Sequence, residues 1–322
     1  MKNLRKISFN ICGSLLLACL LGSCATKHEE DVKPKWAGPL DLAIRQNNVN
    51  EVARIFSENT LSTEVVTEFD AATPLIKAAF AGSKEVAFWL VERGAKIEAA
   101  TANEGDTALI TACGKGRLDI VKLLVENGAN VNHWNVHGIT PLQWALTSRR
   151  PEIAEYLIAK GADINAAAPN GRTPLMSAAE QGMSAVVLDL LAKGAELNHT
   201  GADGKNALME AAAAGRAETV QMLIKHGAKL DRQDVNGWTA LLDATAMGNA
   251  AIVKSLCAAG ANPTIRNNYG RNALDYAHGI NDPAREEAFH LPPPGKAGVD
   301  KESVLRTLEV YVKKYSGKKA GE

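Results

Sequence analysis

The chain has 322 residues with 36 basic and 36 acidic side chains, so it lacks the basic excess of a nucleic-acid binder. Its 46% hydrophobic and 22% charged residues suit a globular protein. The five cysteines form no disulfide framework, because Cys12, Cys19 and Cys24 crowd the start and Cys113 and Cys257 stand far apart in the body.

The first segment reads as an address. Lys2, Arg5 and Lys6 precede the apolar run Ile7 to Leu21, which falls short of the roughly 20 residues that span a bilayer. That is the pattern of a secretion signal. The run ends Leu21-Gly22-Ser23-Cys24 and resembles the lipobox of bacterial lipoproteins. In that family the cysteine takes a diacylglyceryl group and becomes the new N-terminus. The resemblance implies a signal peptide over 1–23 and a lipidated Cys24. The plainer alternative is an ordinary secreted protein with an incidental Cys24. Cys19 fits less well, because the bulky Leu17 sits two positions before it.

By the same resemblance, Ala25 after the cysteine, in place of Asp, favours the outer membrane. The expected location is therefore the bacterial cell envelope, lipid-anchored and facing the periplasm. Cleavage removes Lys2, Arg5 and Lys6 and no acid, leaving 33 basic groups against 36 acidic ones. Residues 24–35 form a polar tether. From Ala25 on it reaches at most about 36 Å at about 3.3 Å per residue.

A repeat fills the body, over 36–280. Gly94-Ala95, Gly128-Ala129, Gly161-Ala162, Gly194-Ala195, Gly227-Ala228 and Gly260-Ala261 are spaced by 34 residues once and by 33 thereafter. Thr73-Pro74, Thr107-Ala108, Thr140-Pro141, Thr173-Pro174 and Thr239-Ala240 keep the same period, with Asn206 and Asn272 in the remaining slots. Such a period marks a stack of supersecondary units.

The unit Asn170-Gly171-Arg172-Thr173-Pro174-Leu175, followed by Ala178-Ala179, Gly182, Leu190-Leu191 and Gly194-Ala195, resembles the ankyrin repeat. The resemblance implies an all-α solenoid of helix-turn-helix units joined by β-hairpin loops. About six full repeats are expected, with a degenerate one at Pro39 to Ala43 and a seventh match that stops near Ala277. Thr caps the first helix, Pro fits its first turn, and Gly takes the left-handed conformation that stops the second. Leu123-Leu124, Leu190-Leu191 and Leu223-Ile224 fill the second helix's buried stripe.

Three departures stand out. Where the family places a histidine that bonds across repeats, this chain has Ile76, Ile110, Gln143, Met176, Met209, Leu242 and Asp275. Apolar packing is expected to replace most of that hydrogen-bond ladder. Arg149-Arg150 replace the usual Gly-His before Pro151, so an altered loop is expected there. Residues 99–104 carry one extra residue in a hairpin.

Residues 281–300, with Pro292-Pro293-Pro294-Gly295, read as a Pro-rich linker. Residues 301–322 form a helix and tail. Val304, Leu308, Tyr311 and Tyr315 recur at helical steps, with Leu305 and Val312 beside them. The favoured role is a cap on the exposed end of the solenoid, and the alternative is a partner-binding helix. Lys313, Lys314, Lys318 and Lys319 suit a solvated end better than a lipid contact.

Motifs of chemistry are missing. There is no phosphate-cradling loop, no Gly-x-Ser-x-Gly elbow and no His-Glu-x-x-His helix. His133 and His137 are four apart on a hairpin, not on one helical face. Cys113 and Cys257, four repeats apart at about 10 Å each, are too distant to bridge and read as buried small hydrophobes. No enzyme activity, cofactor, metal or small-molecule substrate is expected.

The remaining function is binding. In the family, partners dock on the hairpin tips and inner face, and the slot between the hairpin Gly and the Thr is exposed. Here that slot holds Asp106, Ile139, Arg172, Lys205, Trp238 and Arg271, and the tips also carry Trp134, His137 and Tyr269. Trp, Tyr and Arg dominate interface energies. The expected partner-binding residues are Trp134, His137, Ile139, Arg172, Lys205, Trp238, Tyr269 and Arg271, facing an unidentified envelope or periplasmic protein. An inhibitor of a periplasmic toxin or enzyme, as in ankyrin-type immunity lipoproteins, is the alternative.

Overall fold

The computed structural model describes residues 34–66, 72–278 and 301–319. The signal segment, Cys24 and the linker 281–300 lie outside the described residues. Lys35–Glu322 forms one unit.

Among the described residues the period becomes sixteen helices. They are α1 (Ala37–Arg45), α2 (Val49–Glu58), α3 (Pro74–Ala81), α4 (Lys84–Glu92), α5 (Ala108–Lys115), α6 (Leu118–Glu126), α7 (Pro141–Thr147) and α8 (Pro151–Ala159). They continue as α9 (Pro174–Gln181), α10 (Ser184–Ala192), α11 (Ala207–Ala213), α12 (Ala217–Lys225), α13 (Ala240–Ala246), α14 (Ala250–Ala259), α15 (Ala273–Ala277) and α16 (Lys301–Lys319). Odd helices pack on the odd helices of neighbouring repeats and even on even, while each pair packs on itself. The hairpins hold no strand among the described residues, only an isolated antiparallel bridge between Ala100 and Thr107.

The local chemistry follows the letters. Thr73, Thr107, Thr140, Thr173 and Thr239 each accept from the N–H three residues on, as do Asn206 and Asn272. Gly94, Gly128, Gly161, Gly194, Gly227 and Gly260 all stand at positive φ where the second helices stop. Leu90, Leu124, Leu157, Leu190, Leu223 and Leu256 recur at the centre of those helices, fully buried. Small Ala78-Ala79, Ala178-Ala179 and Ala211-Ala212 let first helices approach closely, and none of these residues is exposed.

Two expectations change. The turn at Arg149 is not altered: Arg149 takes φ +56 and reproduces the left-handed step that Gly82, Gly116, Gly182, Gly215 and Gly248 make elsewhere. The backbone needs that step to reverse into the second helix, so arginine adopts it despite its Cβ.

The cross-repeat ladder is not lost but moved. Side chains three residues after the Gly-Ala pair accept from the N–H that follows the next pair. The rungs are Asn132 to Asp163 at 2.7 Å, Asn165 to Glu196 at 3.0 Å, Asn198 to Lys229 at 2.9 Å and Asp231 to Asn262 at 2.8 Å. Glu64 and Glu98 make the same bond to Lys96 and Asn130. Gln143 also bridges, donating through Nε2 to the carbonyls of Ala166 (2.9 Å) and Arg172 (3.0 Å).

The ends are more complete than the letters suggest. Residues 37–58 make a full pair, with Asn47 in the left-handed position and Asn48 capping α2. At the other end α15 has five residues, and α16 packs on α14 and α15 where a second helix belongs. Val304 and Leu308 are buried there. The helix occupies the capping position.

Candidate functional site

Hairpins precede the first helices, so tips and first helices share one face of the stack. The slot before each Thr leans over the first helix of the following repeat. Arg172 Nη1 meets Glu210 Oε1 at 2.7 Å, and its Nη2 meets Glu180 Oε2 at 2.6 Å. Trp238 meets Tyr276 with ring centroids 5.0 Å apart. Arg172–Glu210 and Trp238–Tyr276 share one offset of 38 residues, and the same offset takes Lys205 to Asp243, on which Lys205 exerts a favourable charge.

That lean corrects the expectation of an exposed slot. Asp106, Ile139, Arg172, Lys205 and Arg271 are half-buried. Trp238 is 3% exposed and belongs to the core. Its ring is covered by Tyr276, so it is not available to a partner. Arg172 is held in its two ion pairs. The other expected residues stay at the surface: Trp134 is 44% exposed, Tyr269 is exposed, and His137 is exposed and bonded to Glu104 Oε2.

Along the same face several acids are partly or fully buried. Burial raises the carboxyls of Asp106, Glu210 and Asp234 above their ordinary values, although Asn135, Arg172 and the N–H groups of Trp238 and Asn236 respectively oppose it. Asp243, fully enclosed, is pushed up to about 8 by burial, against the pull of Lys205. Burial pushes the Cys113 thiol up strongly and that of Cys257 up to about 12. Neither thiol is poised as a nucleophile, which needs a depressed pKa.

The histidines do structural work at the hairpins. His133 Nε2 and His199 Nε2 contact the carbonyls of Gly105 (3.3 Å) and Gly171 (3.1 Å). Among the described residues no group of three or more His, Cys, Asp or Glu is arranged to hold a metal ion. No described helix is long and apolar enough to cross a membrane.

Among the polar tip residues runs one apolar line. One tip column holds Val136, Pro169, Ala202 and Val235, one per repeat and all exposed, with Val136 at 63% and Val235 at 60%. The column is stiffened from behind. Val136, Ala202 and Val235 each donate a backbone N–H to the preceding tip, at Glu104, Asn170 and Asp203. Pro169 has no N–H, and its ring packs on Gly138 instead.

Two inner-face aromatics were not singled out from sequence. Phe80 is 58% exposed beneath Lys115 Nζ at 4.1 Å. Trp144 lies half-buried over Gly114, where an added Cβ would stand 1.9 Å from its Nε1. The signal was the register: Trp144 shares a column with Glu210, Asp243 and Tyr276.

Stacked helix pairs with a shared tip face define a repeat solenoid of the protein-interaction class. A family model described as ankyrin repeats matches in three copies, at residues 98–168, 138–201 and 175–267, and the chain belongs to the ankyrin-repeat family. It is similar to the crystal structure of the human ASB11 ankyrin repeat domain, at 26% identity and a TM-score of 0.61, covering 73% of this chain and 98% of that one. The comparison with curated proteins returns no match. The chain is thus a protein–protein interaction module on a fold whose usual role is non-enzymatic scaffolding.

Proposed function

We propose that the chain is anchored to a bacterial envelope membrane through a lipidated Cys24 and holds one protein partner on its hairpin tips. The exposed column Val136, Pro169, Ala202 and Val235 carries this reading, together with Trp134 and Tyr269. A continuous apolar row on a rigid backbone loses water on docking without first having to be ordered. The anchoring half rests on Leu21-Gly22-Ser23-Cys24. The expected site is the outer membrane, facing the periplasm.

Capture from envelope extract tests the docking half. The full chain is compared with a Trp134→Ala/Val136→Asp/Val235→Asp variant that melts at the same temperature. One dominant protein held by the first and lost by the second supports the reading, and equal capture by both refutes it. Inhibition of the captured protein, if it is a toxin or enzyme, would identify an immunity role. Labelling with radioactive palmitate, lost in Cys24→Ser, tests the anchor separately.

A further inference from the structure

We propose that the turns inside the third and fourth helix pairs form a second docking face, built for an acidic protein segment. These turns follow the C-termini of α5 and α7, at the far end of the first helices from the hairpin tips.

Three arginines line these turns. Arg117, Arg149 and Arg150 are all exposed. None of them meets a carboxylate among the described residues within ion-pair distance. Of the acids at this edge, Asp119 is taken by Lys84 at 3.3 Å and Glu85 by the Asn47 amide, which leaves Glu152.

The arginines are held in place rather than free in solvent. A Cβ at Gly82 would stand 2.7 Å from Arg117 Nε, and one at Gly116 would stand 2.7 Å from Arg150 Nε. Each side chain therefore lies on the bare backbone that ends the first helix of the preceding repeat. That end carries partial negative charge, which favours a cation. Arg216 lies over Gly182 in the same way but uses its Nε on the carbonyl of Glu180 at 2.9 Å. Arg117 and Arg150 make no such bond, so their donors stay available. Arg149 spends its Nε on Gln181 Oε1 at 2.7 Å and its Nη2 on the Gln181 carbonyl at 3.4 Å, which leaves its Nη1 side for a ligand. It also keeps a left-handed backbone that would suit glycine better by about 1 kcal/mol.

Anchored, ordered guanidinium forks are suited to carboxylates, which they bind through two parallel hydrogen bonds. An anionic leaflet is the competing ligand. A leaflet is a plane of one sign, and docking this edge on it would press Asp119, Glu152 and Glu85 against like charge. A protein segment can set carboxylates opposite the guanidiniums alone. Successive repeats stand about 10 Å apart, one helix diameter. That is three residues of extended chain at about 3.3 Å each. The fitting ligand is an extended segment with Asp or Glu at every third position.

The test uses the full chain in neutral detergent and a labelled Glu-Ser-Gly repeat peptide, read by fluorescence anisotropy. Binding should weaken as salt is raised and fail for the Gln-Ser-Gly peptide. Arg117→Gln/Arg149→Gln/Arg150→Gln should weaken it by about tenfold or more. Arg117→Lys/Arg150→Lys keeps the charge and the contact with the helix ends, and should lose part of the affinity with folding intact. The tip variant should bind the peptide normally, which separates this face from the first. No binding by the wild-type chain, or equal binding by the triple variant, overturns the proposal. So does a chain that prefers phosphatidylglycerol vesicles to the peptide and loses only vesicles in the triple variant.

Discussion

Arg172 and Glu210 meet at 2.7 Å across a repeat boundary, from a hairpin slot to the first helix of the following unit. The pair is a structural bond between repeats rather than a loose feature of the binding surface. Glu210 is buried, with burial already raising its pKa, and Arg172 offsets that. Arg172→Leu should strand the carboxylate beside Glu180. We expect a loss of about 2 kcal/mol, below the range for fully buried pairs because Arg172 keeps some solvent. Arg172→Leu/Glu210→Leu should regain most of it. Denaturant midpoints would show this, and a double variant as weak as the single would contradict it.

Trp238 and Trp134 should separate cleanly. Trp238→Ala opens a cavity against Tyr276 and should destabilise by about 3–5 kcal/mol. Trp134→Ala removes an exposed ring and should stay within about 0.5 kcal/mol. Thermal melts of the two variants decide the point, and similar melting temperatures would mean that Trp238 is not a core residue.

Asp243 makes stability depend on pH. Burial pushes its carboxyl up to about 8, far above the ordinary 3.8, so the folded chain holds a proton that the unfolded chain releases. Stability should therefore fall as pH rises from about 4 to about 8. Asp243→Asn should flatten that fall, since the amide stays neutral throughout. Lys205→Met should carry the fall to higher pH, because Lys205 is the cation that eases ionisation of Asp243 against Asp234 and Glu210. Melting temperature against pH for the three proteins is the measurement, and parallel curves would refute the assignment.

The sequence showed the frame because each repeated letter acts locally. A Thr cap or a left-handed Gly is satisfied within four residues, so period and chemistry coincide. It hid what lies between repeats. Trp238 reads as a tip residue until the offset of 38 places Tyr276 over it. Arg149 reads as a damaged turn because its letter changes while its backbone does not. The Asn132, Asn165 and Asn198 rungs were visible as letters, but their donors lie 31 residues on. The inner face was hardest to read, since Phe80 and Trp144 differ from core aromatics only in the side of the helix they occupy.

The C-terminal helix gives the last prediction. A solenoid ends in an apolar face that needs a cover, or the terminal repeat unravels. Here α15 is too short to be stable alone, and among the described residues the helix packed on it and on α14 is α16. Val304 and Leu308 of α16 fill the place a second helix would take, while Val310 faces solvent at the same helix's outer side. Deleting residues 296–322 should lower the melting temperature by several degrees, as loss of a few kcal/mol does in a domain of this size. The loss should be local at first. Amide protection should vanish in α13–α15 before it changes in α3–α8, because each repeat is stabilised by its neighbours alone. Leu308→Asp should reproduce the pattern without shortening the chain. An unchanged melting temperature in both variants would free α16 from the capping role and make its Val304–Leu308 stripe a surface for something else.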